Sequence, residues 1–255
     1  MTLRELEKYF NDFLHLENFT ADISLNGVQI QNSAPESKQI TKVAFSVDAC
    51  EESAKKAAEW GAQLLFVHHG IFWGHPETIT GALYKKVSVF LQNDMALYGC
   101  HAPLDANNPY GNNFGLAARL NLRDVEKFGQ WRGMYFGVKG RLESPLTIQE
   151  LAEKVLAKGE TPVHILPFGK KSISTVGIVS GGGDDNIDEA LRDGLDAFIT
   201  GEIGHSSYHF VKESCINVIA GGHYQTETIG VQQVMKKLAK ETGIQTTFID
   251  IPTNL

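Results

Sequence analysis

Residues 42–70, KVAFSVDACEESAKKAAEWGAQLLFVHHG, can be laid without a gap on residues 175–203, TVGIVSGGGDDNIDEALRDGLDAFITGEI. Val43 meets Val176, Ala57 meets Ala190 and Gly61 meets Gly194. Each copy reads as an apolar strand, an acidic helix start, a glycine stop and a second apolar strand. Further on, ALYGCHAPLDA (96–106) lies against VIAGGHYQTET (218–228), which sets His101 on His223 and Asp105 on Glu227. Identity is low; the mark of an internal duplication is the shared order of elements, with a histidine followed four residues later by an acid after the same strand. Such a chain is expected to fold as two related α/β halves, 1–125 and 126–255, interlinked around one shared site.

The segments outside the two copies continue the alternation. MTLRELEKYFNDFL carries Leu3, Leu6, Phe10, Phe13 and Leu14 at helical spacing behind the capping pattern Thr2…Glu5, which makes it a folded helix rather than a signal peptide. ITGALYKKVSVFLQND and NFGLAARLNL read as helices, the segment around WRGMYFGVKG as strand, and TIQELAEKVLAKG as a helix with a second box, Thr147…Glu150. Strands alternating with helices imply sheets covered on both faces. At 255 residues the chain can bury the core this needs. A formal charge of −7 argues against a general binder of nucleic-acid backbones. The three cysteines form no C-x-x-C pair, so buried structural thiols are expected. With no apolar run of membrane-spanning length, the cytoplasm is the expected location.

Three motifs fall where apolar strands end: His68-His69, His101…Asp105 and His223…Glu227. In open α/β sheets, ligands collect beyond the carboxyl ends of strands. Adjacent residues on a regular strand point to opposite faces, so His68 and His69 can share a ligand cluster only where the strand breaks, and Gly70 permits a break. His223 and Glu227 precede the amphipathic run TIGVQQVMKKLAKETG, which puts them one turn apart on one helix face. Pro103 excludes a helix interior for His101…Asp105, and MALYGCHAPLD is expected to run as a strand into a loop there. Taken singly, each motif has a bland reading: a packed histidine, a surface pair, a polar loop. Together they suit zinc, iron or manganese, and more than four mixed imidazole and carboxylate ligands suggest two ions with a bridging carboxylate. Phe72 and Trp73, an aromatic pair after a strand, read as packing. SGGGDD, Ser180 to Asp185, reads as a tight turn, since two aspartates oppose a bound anion.

LNGVQI, VDA, VHHGIFWG, HAPLDA, TGEIGHS and GGHYQTE, in that order and spacing, make the chain similar along nearly its whole length to the NIF-three-like proteins, also known as GTP cyclohydrolase 1 type 2 homologues. The resemblance implies two intertwined α/β subdomains, a dinuclear metal centre and a toroidal homohexamer. It implies His68, His69, Asp105, His223 and Glu227 as metal ligands, with His101 close by as a tentative catalytic residue. Glu202 and His205 are expected to support the site without binding metal. The implied activity is hydrolytic opening of the guanine imidazole ring of GTP by a metal-activated water; the alternatives are a dinuclear hydrolase of another ester or amide, and a non-catalytic metal-binding scaffold. Five ligands around two ions leave coordination positions open, which favours an enzyme.

Overall fold

The computed structural model describes residues 1–255. The chain runs through α1 (Leu3–Leu14), β1 (Gly27–Ile30), β2 (Lys42–Asp48), α2 (Glu51–Trp60), β3 (Leu64–His69), α3 (Gly81–Gln92), β4 (Ala96–Gly99), α4 (Ala102–Ala106) and α5 (Asn112–Arg119). It continues through β5 (Arg123–Trp131), β6 (Met134–Leu146), α6 (Ile148–Val155), β7 (His164–Pro167), β8 (Ile173–Val179), α7 (Ile187–Arg192) and β9 (Ala197–Thr200). The last elements are α8 (His205–Glu213), β10 (Asn217–Ala220), α9 (His223–Thr242) and β11 (Gln245–Phe248).

The duplication read from the sequence is visible in the topology. The series α1-β1-β2-α2-β3-α3-β4 recurs as α6-β7-β8-α7-β9-α8-β10. Both sheets order the shared strands alike, β1-β4-β3-β2 in one and β7-β10-β9-β8 in the other. In each, three strands are parallel, as helical crossovers require, and the edge strand is antiparallel. Both boxed helix starts form: Thr2 and Glu5 exchange bonds of 2.7 and 3.3 Å, and Thr147 and Glu150 do so at 2.8 and 3.3 Å. Gly61 and Gly194 end the matched helices at φ of 80° and 64°, a conformation that glycine adopts without strain.

Two additions distinguish the sheets. β11 joins the first alongside β2, and the β5–β6 hairpin extends the second beside β8. By packing, the chain divides into one unit of 1–104 with 231–251 and another of 105–230 with 252–255. This is a different cut from the 1–125 and 126–255 halves, because the chain changes unit inside α4 and again inside α9.

Each unit has its own core. In the first, Phe10, Phe66 and Tyr98 pack with ring centroids 4.9–5.3 Å apart on one face of the sheet. Ala44, Leu65, Val67 and Leu97 alternate onto the other face, under α2 and α3. In the second, Val176, Ile178, Ile199 and Ile219 face one side, and Val179, Phe198 and Val218 the other. No helix is long and apolar enough to cross a membrane.

One local expectation needs correction. Pro103 does not force a loop: Ala102–Ala106 forms a single helical turn. Proline there lies in the first turn, where its missing N–H has no intrahelical partner to lose.

Candidate metal centre

In the first unit, β3 runs through both His68 and His69 and stops at Gly70. The break therefore comes after the pair, not before it, yet the rings lie with centroids 4.6 Å apart. His68 is fully buried, and its Nδ1 meets the Cys100 carbonyl at 2.9 Å. His69 Nδ1 meets Asp48 Oδ1 at 2.8 Å, from the neighbouring position on β2. His101, just past β4, places its Nδ1 3.0 Å from Asp22 Oδ1. Each Nδ1 faces a carbonyl or carboxylate oxygen, so in the neutral ring it carries the hydrogen and leaves the lone pair on Nε2, the form in which imidazole binds metal. His68, His69 and His101 offer ligand atoms within 4.8 Å of one another.

The turn after the pair is held by Gln29. Its side chain accepts from Ile71 N and donates to Leu25 O, both at 2.7 Å. A Cβ at Gly70 would collide with this amide, which accounts for the glycine. Trp73 stands edge-on to His101 with centroids 5.1 Å apart, whereas Phe72 packs into the core. His75, the third imidazole of the stretch, is exposed and paired with Glu77 at 2.8 Å.

In the second unit, His223 is the first residue of α9 and Glu227 follows one turn later, with Nε2 and Oε2 3.3 Å apart. Glu202, past the end of β9, bonds His223 Nδ1 and so orients the ring. Burial pulls the His223 pKa down, but the carboxylates of Glu227 and Glu202 outweigh it and hold the imidazolium to about 9. A cation is thus favoured between these acids, and a metal ion can take the proton's place.

Asp105 is buried; its Oδ1 accepts from Asn112 Nδ2 at 2.9 Å and Ser180 Oγ at 3.0 Å. Asn112 also accepts from Gly230 N, which ties Asp105 to α9. The SGGGDD segment is the tight turn expected of it: Gly183 N bonds Thr200 Oγ1, and Asp184 accepts from Gly204 N and Ser207 Oγ. Gly181, at φ 64°, leaves room for Glu227, whose Oε1 would collide with any Cβ there. Gly181→Ala is therefore expected to cost about 1–2 kcal/mol from the left-handed backbone alone. It should also turn the Glu227 carboxylate aside. Chemical unfolding reads the first effect, and weaker retention of added divalent ions reads the second.

The residues fit a divalent metal. In the second unit His223 stands with the Glu227 carboxylate, and imidazole with carboxylate is a mixed set that suits zinc, iron or manganese; in the first, three imidazoles converge. The buried His, Asp and Glu groups can hold a metal ion. Glu202 supports His223 as expected; His205, exposed at the start of α8, makes no such bond. Sequence reasoning missed Asp22, Asp48, Ser180 and Asn112. The signal for Asp48 was present, because it ends the strand beside β3.

The sequence model of the family described as Duf34/NIF3 (NGG1p interacting factor 3) matches residues 1–254. A GTP cyclohydrolase 1 type 2 homolog of Treponema pallidum is 46% identical over a 290-residue alignment covering 100% of both chains. Another, of Archaeoglobus fulgidus, is 38% identical over 255 residues, again covering 100% of both. Among solved structures, TTHA1606 from Thermus thermophilus superposes with a TM-score of 0.89 at 34% identity, covering 100% of each chain.

Proposed function

Since the chain belongs to the Duf34/NIF3 family, we propose that it is a hydrolase dependent on two divalent ions, held by His68, His69, Asp105, His223 and Glu227. The observation that carries this reading is the set of fixed tautomers: His68 and His69 both commit Nδ1 to an oxygen and so keep Nε2 as the ligating atom. In the second unit, two acids flank the His223 imidazole. Glu227 would bridge the two ions, because a carboxylate can give one oxygen to each. Bound divalent ions acidify water at neutral pH and polarise the atom that is attacked.

A nucleotide substrate is supported by the names of the relatives, GTP cyclohydrolase homologs. For GTP, water adds at C8 of the guanine imidazole ring, a C8–N bond opens, and a second water releases formate. The nitrogen that becomes an amine needs a proton. His101 is assigned to carry it through Nε2, because Asp22 occupies its other nitrogen. Trp73 stands against both His101 and His69, where its ring can flank a flat base.

A second reading is a metal-binding adaptor, favoured by the family's description as an interacting factor. We further propose a cytoplasmic homohexamer, which a solution mass measurement checks. Purified without a tag and loaded with zinc, iron or manganese, the protein is expected to hold about two ions per chain, as its ligand count suggests. It should then turn over at least one of a panel of nucleotides, GTP first. Reproducible ion content near zero refutes the site, and full loading with no turnover leaves the adaptor.

A further inference from the structure

Asp22 belongs to no motif that suggested chemistry, yet its side chain is fully buried and receives four donors. Oδ1 accepts from Ser24 N at 3.0 Å and from His101 Nδ1 at 3.0 Å. Oδ2 accepts from Asn26 Nδ2 at 2.9 Å and Ala102 N at 3.1 Å, and lies 3.2 Å from the same His101 nitrogen. Asn26 closes the clamp by accepting from His101 N at 2.7 Å. The loop before β1 thus grips both the backbone and the ring of His101.

Every partner of Asp22 in this clamp is a donor, so the carboxylate is held ionised and His101 Nδ1 has to carry a hydrogen. We propose that Asp22 is a positioning residue: it holds His101 as the Nδ1–H tautomer and so makes Nε2 the one ring nitrogen able to accept a proton during hydrolysis. The role in hydrolysis rests on the assignment of His101 as proton carrier; the tautomer does not. Burial raises the Asp22 pKa, but the bonds from His101, Asn26 and Ser24 reverse this and bring it to about 2, in keeping with a carboxylate ionised throughout the working range.

Asp22→Asn inverts the arrangement. Its single oxygen can serve both Asn26 Nδ2 and Ala102 N only with the amide NH2 turned toward His101 Nδ1, at the loss of the bond from Ser24 N. That nitrogen must then accept, and the ring proton moves to Nε2. The test is a two-bond proton–nitrogen spectrum of the zinc-loaded, full-length protein labelled with 15N-histidine, with His101 assigned by the His101→Asn variant. In the wild type, Nδ1 of the neutral ring is expected to be protonated and Nε2 bare. In Asp22→Asn the Nε2–H form should dominate at unchanged zinc content, and kcat on the nucleotide turned over should fall on the order of a hundredfold or more while KM stays nearly constant. A wild-type ring protonated at Nε2 overturns the proposal, as does an Asp22→Asn ring with its tautomer unchanged. Should Asp22→Asn fail to fold, the wild-type spectrum alone decides. A wild type with no turnover refutes the hydrolase reading, and the spectra still decide what Asp22 does.

Discussion

Glutamine in place of Glu227 is expected to strip at least one divalent ion per chain from the loaded protein and leave it folded. The side chain is buried one helical turn from His223, so the near-isosteric amide preserves packing while removing the charge that would hold the two proposed ions. Elemental analysis reads the ion count, and far-ultraviolet circular dichroism reads the fold. The rise in melting temperature on adding metal should shrink with the lost binding free energy. Proton linkage adds a second signature. The His223 imidazolium is stable to about 9, so its proton has to leave before the ring can ligate, and uptake at neutral pH releases it. Affinity in the wild type should therefore weaken as pH falls below about 9. In Glu227→Gln the imidazole loses one of the acids that raise its pKa, and proton release near pH 8 should decline. Without metal the sign reverses: a pKa raised from 6.5 to about 9 gives stability that is complete below 6.5 and lost as pH rises through about 9. Full retention of both ions by the glutamine variant refutes the bridging role.

The parts of the fold that were legible in the sequence are those set by local pattern. Repeated apolar runs, acidic helix starts and glycine stops gave the order of elements, and the same order in both copies anticipated two sheets with matching strand arrangements. His223 and Glu227 were placed on one helix face because their spacing alone determines it. What was not legible is partner choice across long separations. Asp22 lies 79 residues from the imidazole that it holds, and Asp48 lies 21 residues from His69. No periodicity links either pair; only the docking of β2 on β3 and of the early loop beside β4 brings them together. The cut between packing units was hidden for the same reason, since β11 returns to the first sheet after the whole second repeat. At Pro103 a helical turn forms where a loop is expected, because proline forbids a helix interior and not a first turn.

Asparagine in place of His101 separates an enzyme from a scaffold. The amide nitrogen of asparagine can occupy the place of Nδ1 and still donate to Asp22, so the clamp from Asp22 and Asn26 keeps its bonds. What disappears is Nε2, and with it the only ring atom that can take or give a proton while Asp22 holds the other. Metal content and assembly should therefore be unchanged, while turnover on the nucleotide hydrolysed by the wild type, GTP being the first choice, falls by about a hundredfold or more, the usual worth of a general acid or base. The ratio of turnover to bound metal is the deciding quantity. If metal content falls in step with activity, His101 is a ligand or a brace for one, and proton transfer belongs to another group. His101 shares its repeat position with His223, yet His223 is assigned a ligand's place between two acids, whereas His101 is gripped by Asp22 and Asn26 from the loop before β1. The duplication would then have produced one imidazole that binds and one that moves protons, and the asparagine variant asks whether the second has that separate task.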